Sequence, residues 1–342
     1  MRHMRTVALA VAVALFIGVP LIVAIAVAQP TSNGAAGRPP AARQSLVQDL
    51  KEVNYYPAAG THTYMWSRFD PTAIDRDFAR IRALGANTVR IFIQPDVFGF
   101  PTVRPVMADR LSEVIGLAAK HSLRVHLTLF DWWSQFGDID GSKEWVSSLL
   151  SRYREDPRIA VVEIQNEVNP QSPEEMAWVT TMLPYLSTVM PGTLRTVSTA
   201  SVPPGVFALF THELNSSPPD FWDYHYYGPA ADAYSVLSGI KALAAPRPLF
   251  VGETGYSTDA APGGQAAQEQ EQAAYYRAVF SAAAALGLPT PAPWTLNDFS
   301  PGAIPPVSPT ADEPAQYGYG LLRLNGTPKP AAAVVSNAFS GK

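Results

Sequence analysis

The sequence predicts an α/β protein: one (β/α)8 TIM barrel domain that follows an N-terminal hydrophobic segment. Three observations lead there. Short apolar segments alternate with helix-patterned segments eight times between about residue 50 and the end. About 300 residues remain after the N-terminal tail, which suits one barrel. Polar residues recur at the carboxyl ends of the strand segments, where such a barrel gathers its loops. A doubly wound open sheet is the alternative. It calls for a glycine-rich loop after the first strand, and Pro57-Ala58-Ala59-Gly60 supplies none.

The chain has 342 residues, of which 47% are hydrophobic, enough for a large core. Its net charge of −4 offers no basic footprint, so no nucleic acid partner is expected. It has no cysteine, which excludes disulfides, thiolate metal sites and a cysteine nucleophile.

Residues 1–28 begin with Arg2, His3 and Arg5 and continue as an apolar run from 6 to 28, broken only by Gly18 and Pro20. The run exceeds the roughly 20 residues that span a bilayer. It ends in Ala26-Val27-Ala28, an A-x-A cleavage pattern. Residues 1–28 therefore read as a signal peptide or an uncleaved membrane anchor. Either places the remainder outside the cytoplasm, secreted or tethered through residues 6–28 to the outer face of the cell membrane. Residues 29–45 are rich in Pro, Gly and Ala and read as a flexible linker. Residues 46–342 are the folded domain, expected to be a monomer.

The first strand is expected at 53–56, with His62, Tyr64 and Trp66 in the following loop. Asp70-Pro71 then pairs an N-cap with proline at the first helical position. Ile74, Phe78, Ile81 and Leu84 continue at helical spacing, and Gly85 closes the helix. Strands follow at 88–93, carrying Arg90, and at 123–130, leading into Asp131, Trp132 and Trp133. Helices are expected at 107–120 and 141–154. The fourth strand, Val161-Val162-Glu163-Ile164-Gln165-Asn166-Glu167, is rich in β-branched residues, as a strand covered on both faces should be, and should stop near Glu167. Ser172-Pro173-Glu174-Glu175 reads as a capping box opening the next helix. Further strands are expected at 194–199, 221–226, 248–255 and 292–295. Helices are expected at 231–243, 265–286 and 329–339, with a short helical piece at 205–210.

Two of these strands share one design: an apolar run that ends in a glutamate, Glu167 on the fourth and Glu253 on the seventh. In a (β/α)8 barrel these positions lie across the mouth from each other. A carboxyl pair so placed is what glycosidic cleavage needs: one acid protonates the leaving oxygen while the other attacks the anomeric carbon or activates water. The protonated partner needs a raised pKa, which burial and a neighbouring carboxylate can supply. Glu163 reads as a buried structural acid. No metal site is expected, since the six histidines are scattered and no His-Glu-x-x-His occurs. No Gly-x-Ser-x-Gly elbow suggests a serine triad, and no cofactor is implied.

The sequence resembles the clan A glycoside hydrolases, most closely family five, the cellulase and mannanase family. The resemblance rests on Asn166-Glu167, Glu253, Val53-Asn54-Tyr55-Tyr56-Pro57, Asn87-Thr88-Val89-Arg90-Ile91-Phe92, His225-Tyr226-Tyr227, Tyr319-Gly320-Leu321-Leu322-Arg323 and Lys329-Pro330. It implies a retaining glycosidase acting on a β-linked oligo- or polysaccharide, with Glu167 as acid and base and Glu253 as nucleophile. It further implies that Asn166 binds the sugar 2-hydroxyl. Arg90 and Tyr227 would hold Glu253 ionised and aimed, His225 would contact the sugar or the nucleophile's surroundings, and Trp294 would stack on the sugar. His62, Trp66, His126, Asp131, Trp132 and Asp298 are further substrate contacts to test. The segments 94–105 and 297–316 are expected to wall the cleft. Two other readings use the same residues: a carbohydrate-binding barrel without turnover, and a cell-wall transglycosylase.

Overall fold

A computed structural model describes residues 40–258 and 264–341. The expected signal peptide or anchor and residues 29–39 of the linker lie outside the described residues. Among those described, no helix is long and apolar enough to cross a membrane. The end assigned to the linker needs correction, because a helix already spans Pro40–Gln48. Val47 and Leu50, inside the expected domain, are buried against Val161, Leu194, Phe221, Phe250 and Ala292.

The fold is α/β with parallel strands. Strands β1 (Glu52–Asn54), β2 (Thr88–Phe92), β3 (Arg124–Thr128), β4 (Ile159–Glu163) and β5 (Leu194–Thr196) pair in sequence order. Strands β6 (Ser198–Thr199), β7 (Trp222–Tyr226) and β8 (Leu249–Thr254) form a second parallel set. β5 and β6 are one expected strand, interrupted only at buried Val197. All residues of β2, β7 and β8 are buried, as parallel strands covered by crossover helices must be.

The helices begin where local chemistry dictates. Asp70 accepts from the backbone N–H of Thr72 and Ala73 and opens Pro71–Ala83. Ser172 accepts from Glu175 N–H and opens Pro173–Val189. Two strand boundaries differ from expectation. β4 ends at Glu163 rather than near Glu167; Ile164 N–H still donates to Thr196 O at 3.0 Å, and Glu167 itself takes a left-handed φ of 49°. Residues 292–295 form one isolated bridge, Pro293 to Thr254, instead of a continuous strand; Pro291 and Pro293 cannot donate to a ladder. The segment is nonetheless bonded on both sides. Trp294 N–H donates to Thr254 O at 2.8 Å, and Asn54 N–H donates to Pro293 O at 3.1 Å.

Candidate active site

Strand register assembles a polar layer among buried side chains. Asn54, Arg90 and His126 are register partners on β1, β2 and β3. Arg90 is fully buried and forms the hub of this layer. Its Nε donates to Thr128 Oγ1 and Glu163 Oε2, both at 2.9 Å. Its Nη2 donates to Glu163 at 2.7 Å and to Asn166 Oδ1 at 2.8 Å. Its Nη1 donates to Asn54 Oδ1 at 3.0 Å and to Glu253 Oε1. One guanidinium thus bridges a buried acid on β4 and the strand-end acid of β8, and every one of its donor atoms is engaged within the protein. Glu163 is fully buried and also accepts from Thr128 Oγ1, 2.6 Å away, the structural acid expected.

Glu253 has a donor on each oxygen, since Tyr227 O–H donates to Oε2 at 2.8 Å. Burial and the charge of Glu253 push the Tyr227 phenol well up, so it remains a donor. Gly252 precedes Glu253, and its N–H donates to Asp223 Oδ1. A Cβ at 252 would lie 2.2 Å from that oxygen, so only glycine lets the Asp223 carboxyl approach β8 there.

His225 lies between the two glutamates. Its Nδ1 is 2.7 Å from Glu167 Oε1 and 3.6 Å from Glu253 Oε2. One ligand-type atom from each of Glu167, His225 and Glu253 falls within 4.8 Å of the others, so a carboxylate oxygen of one glutamate lies that close to one of the other. Burial lowers the His225 pKa, but Glu253 and Glu167 outweigh it and lift it to about 9. Burial raises Glu167, yet the hydrogen bond and charge of His225, with Arg90 behind, leave it below the usual carboxyl value. The raised pKa expected for an acid at Glu167 is therefore not what the resting site has: His225 and Arg90 outweigh burial and shift it downward.

These groups open onto a cavity of about 490 Å³. Asn166, Glu167, Tyr227, Glu253 and Trp294 line it, and so do His62, Asp131 and Trp132. Glu167 keeps 36% of its side chain open. Arg90 and His225 are buried outside the lining: Arg90 bonds Glu253 as expected, and His225 lies in the nucleophile's surroundings rather than against the sugar. Trp66 is a core residue whose indole donates to Phe92 O, His126 is buried against Glu52, and Asp298 pairs with Lys329 at 2.7 Å; none of the three lines the cavity. Of the two segments expected to wall it, 297–316 contributes Pro309, Thr310 and Gln316, and 94–105 contributes none. Tyr56, Gln165 and Tyr319 also line it and were not singled out individually, although Tyr56 and Tyr319 lie in motifs that carry the family resemblance. Among the described residues, three of the five non-glycine residues with positive φ, His62, Trp132 and Glu167, line this cavity. Backbone held in so sparse a region is concentrated at functional sites.

Glu167, His225 and Glu253 are the one group among the described residues whose atoms could together hold a metal ion. Their lone pairs are already directed at donors: Glu253 accepts from Arg90 and Tyr227, and Glu167 is bonded to His225. A cation there would compete with the Arg90 guanidinium.

No protein-family model and no curated relative matches the chain. Its fold is similar to solved structures of glycoside hydrolases. A GH5_18 enzyme from Streptomyces cattleya, solved in complex with Manβ1-4GlcNAc, aligns at 20% identity with a TM-score of 0.66, covering 84% of this chain and 79% of that one. The exo-β-1,4-mannosidase Op5Man5 from Opitutaceae bacterium strain TAV5 aligns at 19% identity with a TM-score of 0.69, covering 85% of this chain and 59% of its own length. A GH5_18 from Bifidobacterium longum subsp. longum ATCC 55813 aligns at 17% identity with a TM-score of 0.69, over 86% and 79% of the two chains. At these identities the likeness is one of fold.

Proposed function

We propose that the chain is a retaining glycosidase that hydrolyses a β-linked oligo- or polysaccharide. The observation that carries this reading is the approach of Glu167 and Glu253 to within 4.8 Å across an open cavity. Retaining enzymes hold their carboxyl pair about 5–5.5 Å apart, while inverting enzymes leave a wider gap for water. The structural neighbours, a mannosidase and GH5_18 enzymes among them, support β-glycosides as the substrate class.

In the first step Glu253 attacks the anomeric carbon and forms a glycosyl ester, while Glu167 gives its proton to the departing oxygen. The bond from anomeric carbon to that oxygen breaks and the aglycone leaves as an alcohol. In the second step Glu167 takes a proton from water, the water oxygen attacks the anomeric carbon, and Glu253 departs as a carboxylate. Arg90 and Tyr227 hold both Glu253 oxygens in place. Asn166 accepts from Arg90 through Oδ1, which leaves its amide N–H groups for the sugar 2-hydroxyl. Trp294 offers an apolar face to the ring. The eight strand segments closing into one barrel would put these groups at its mouth; Asn54, Pro293 and Thr254 carry hydrogen bonds across the seam such a closure needs. The reading takes the protein to work as a monomer outside the cytoplasm, secreted or tethered through residues 6–28.

The test is a panel of aryl β-glycosides, β-mannosides first, with Glu253→Gln and Glu167→Ala as controls and a 2-fluoro sugar as trap. Labelling of Glu253 and loss of turnover in both variants are expected. Label on another residue, or full activity in both variants, ends the assignment. Sugar binding by the unaltered protein with no product over days would instead favour a binding barrel.

A further inference from the structure

Asp131 follows β3 and is only 3% exposed, yet it lines the cavity. Its Oδ2 accepts from Gln94 Nε2 at 2.7 Å and from Tyr56 O–H at 3.4 Å. Its Oδ1 has no hydrogen-bond partner among the described residues. Gln165, on the same wall, donates through Nε2 to Trp133 O at 3.2 Å, and its Oε1 is buried without a partner. The unpaired Gln165 acceptor costs free energy, and a ligand that supplies donors recovers it; Asp131 Oδ1, open rather than fully buried, can accept from the same ligand. The flanking Phe130 and Trp132 both have positive φ, so the backbone is held in a rare conformation on either side of this carboxyl.

The charges of the wall narrow what that ligand is. Among the described residues, Asp131, Glu167 and Glu253 are its carboxyl groups, and no lysine or arginine lines it. Burial drives His62 down to about 3, so that ring is neutral. A sugar bearing a carboxylate would meet acids and no free cation. A neutral sugar brings hydroxyl donors to acceptors that lack them.

We propose that Asp131 is a specificity-determining residue, whose free Oδ1 accepts from a hydroxyl of a neutral sugar seated beside Glu167 and Glu253, with Gln165 Oε1 as a second acceptor. The proposal rests on the glycosidase reading only in requiring a sugar in this cavity; it does not require turnover. Asp131 thereby sorts substrates by hydroxyl pattern and against uronides. Its bonds to Gln94 and Tyr56 position the carboxyl and leave that oxygen for the ligand.

The experiment titrates the protein at pH 8, where the Asp131 carboxyl is ionised, by tryptophan fluorescence, since Trp132 and Trp294 line the cavity. The probes are the methyl β-glycosides of mannose and glucose, their monodeoxy analogues and the corresponding uronides. A monodeoxy analogue should bind the unaltered protein about tenfold or more weaker than its parent, and Asp131→Ala should abolish that difference. The uronides should bind at least about tenfold weaker than the neutral sugars. Asp131→Asn, nearly isosteric, serves in the same titration should the alanine variant not fold, and should at least halve the discrimination on a logarithmic scale. Discrimination that persists in the variants, uronides bound as tightly as neutral sugars, or no sugar binding at all would each overturn the proposal. Hydrolysis assays on the same samples separate the two readings. Sugar bound through Asp131 without cleavage would sink the glycosidase and keep this inference, and cleavage with discrimination indifferent to Asp131 would do the reverse.

Discussion

Nδ1 of His225 stands 2.7 Å from Oε1 of Glu167, so the two groups share one hydrogen bond and titrate as a pair. The ring is fully buried, with Glu253 at 3.6 Å and Asp223 at 4.0 Å as the other acids facing it and Arg90 as the opposing cation. Its pKa of about 9 lies above the ordinary 6.5, so the stability it contributes is full below 6.5 and is lost as pH rises through about 9. The pair keeps its proton over the same range. With His225→Gln, the alkaline limb of kcat/KM on an alkyl β-glycoside should fall by at least about one pH unit, because Glu167 must then hold the proton alone. A pH-rate profile checks this, and an unmoved alkaline limb rules out the shared proton.

Tyr227 donates to the Glu253 oxygen that Arg90 does not reach. Tyr227→Phe removes one hydrogen bond to a carboxylate, worth about 1.5–3 kcal/mol. Activity should drop roughly ten- to a hundredfold, mainly in kcat, with the melting temperature falling by only about a few degrees. Steady-state kinetics and a thermal melt on the same preparation distinguish this from a general loss of structure.

Arg90 neutralises Glu163 and Glu253 from a position with no exposed surface. Arg90→Met leaves two buried acids without their cation, which costs about 3–5 kcal/mol. That is a large share of the roughly 5–15 kcal/mol that holds a typical domain together. Chemical denaturation should show the loss directly. Glu163→Gln, which keeps the shape and an acceptor, should cost less.

Asp131 should trade stability for recognition. Burial above all lifts its carboxyl from 3.8 to about 7. Its favourable contribution is complete below about 3.8 and disappears as pH rises through about 7, because the folded state resists ionisation. Asp131→Asn should therefore stabilise the protein at pH 8, by at most about 4 kcal/mol, and change it little near pH 4. Urea melts at the two pH values decide it. Equal effects at both would mean that the carboxyl is not held protonated by its surroundings.

The alternation of strands and helices, the caps at Asp70 and Ser172, and the placing of Glu253 at a strand end were legible in the sequence, because periodicity and capping act within a few residues. The end of β4 was less so. Asn166 and Glu167 look like strand continuation until the backbone of Glu167 turns left-handed beside Ser198, whose Oγ accepts its N–H at 2.8 Å. The eighth segment keeps its place between β1 and Thr254, but its prolines break the ladder. What only the tertiary structure decided is which buried groups meet. It set Arg90 between Glu163 and Glu253, paired His225 with Glu167, and brought Asp131 to the cavity with one oxygen free. Those outcomes depend on parallel register and on burial summed over segments up to about 160 residues apart. Proton affinity and charge pairing are properties of that assembled interior, and no stretch of sequence carries them alone.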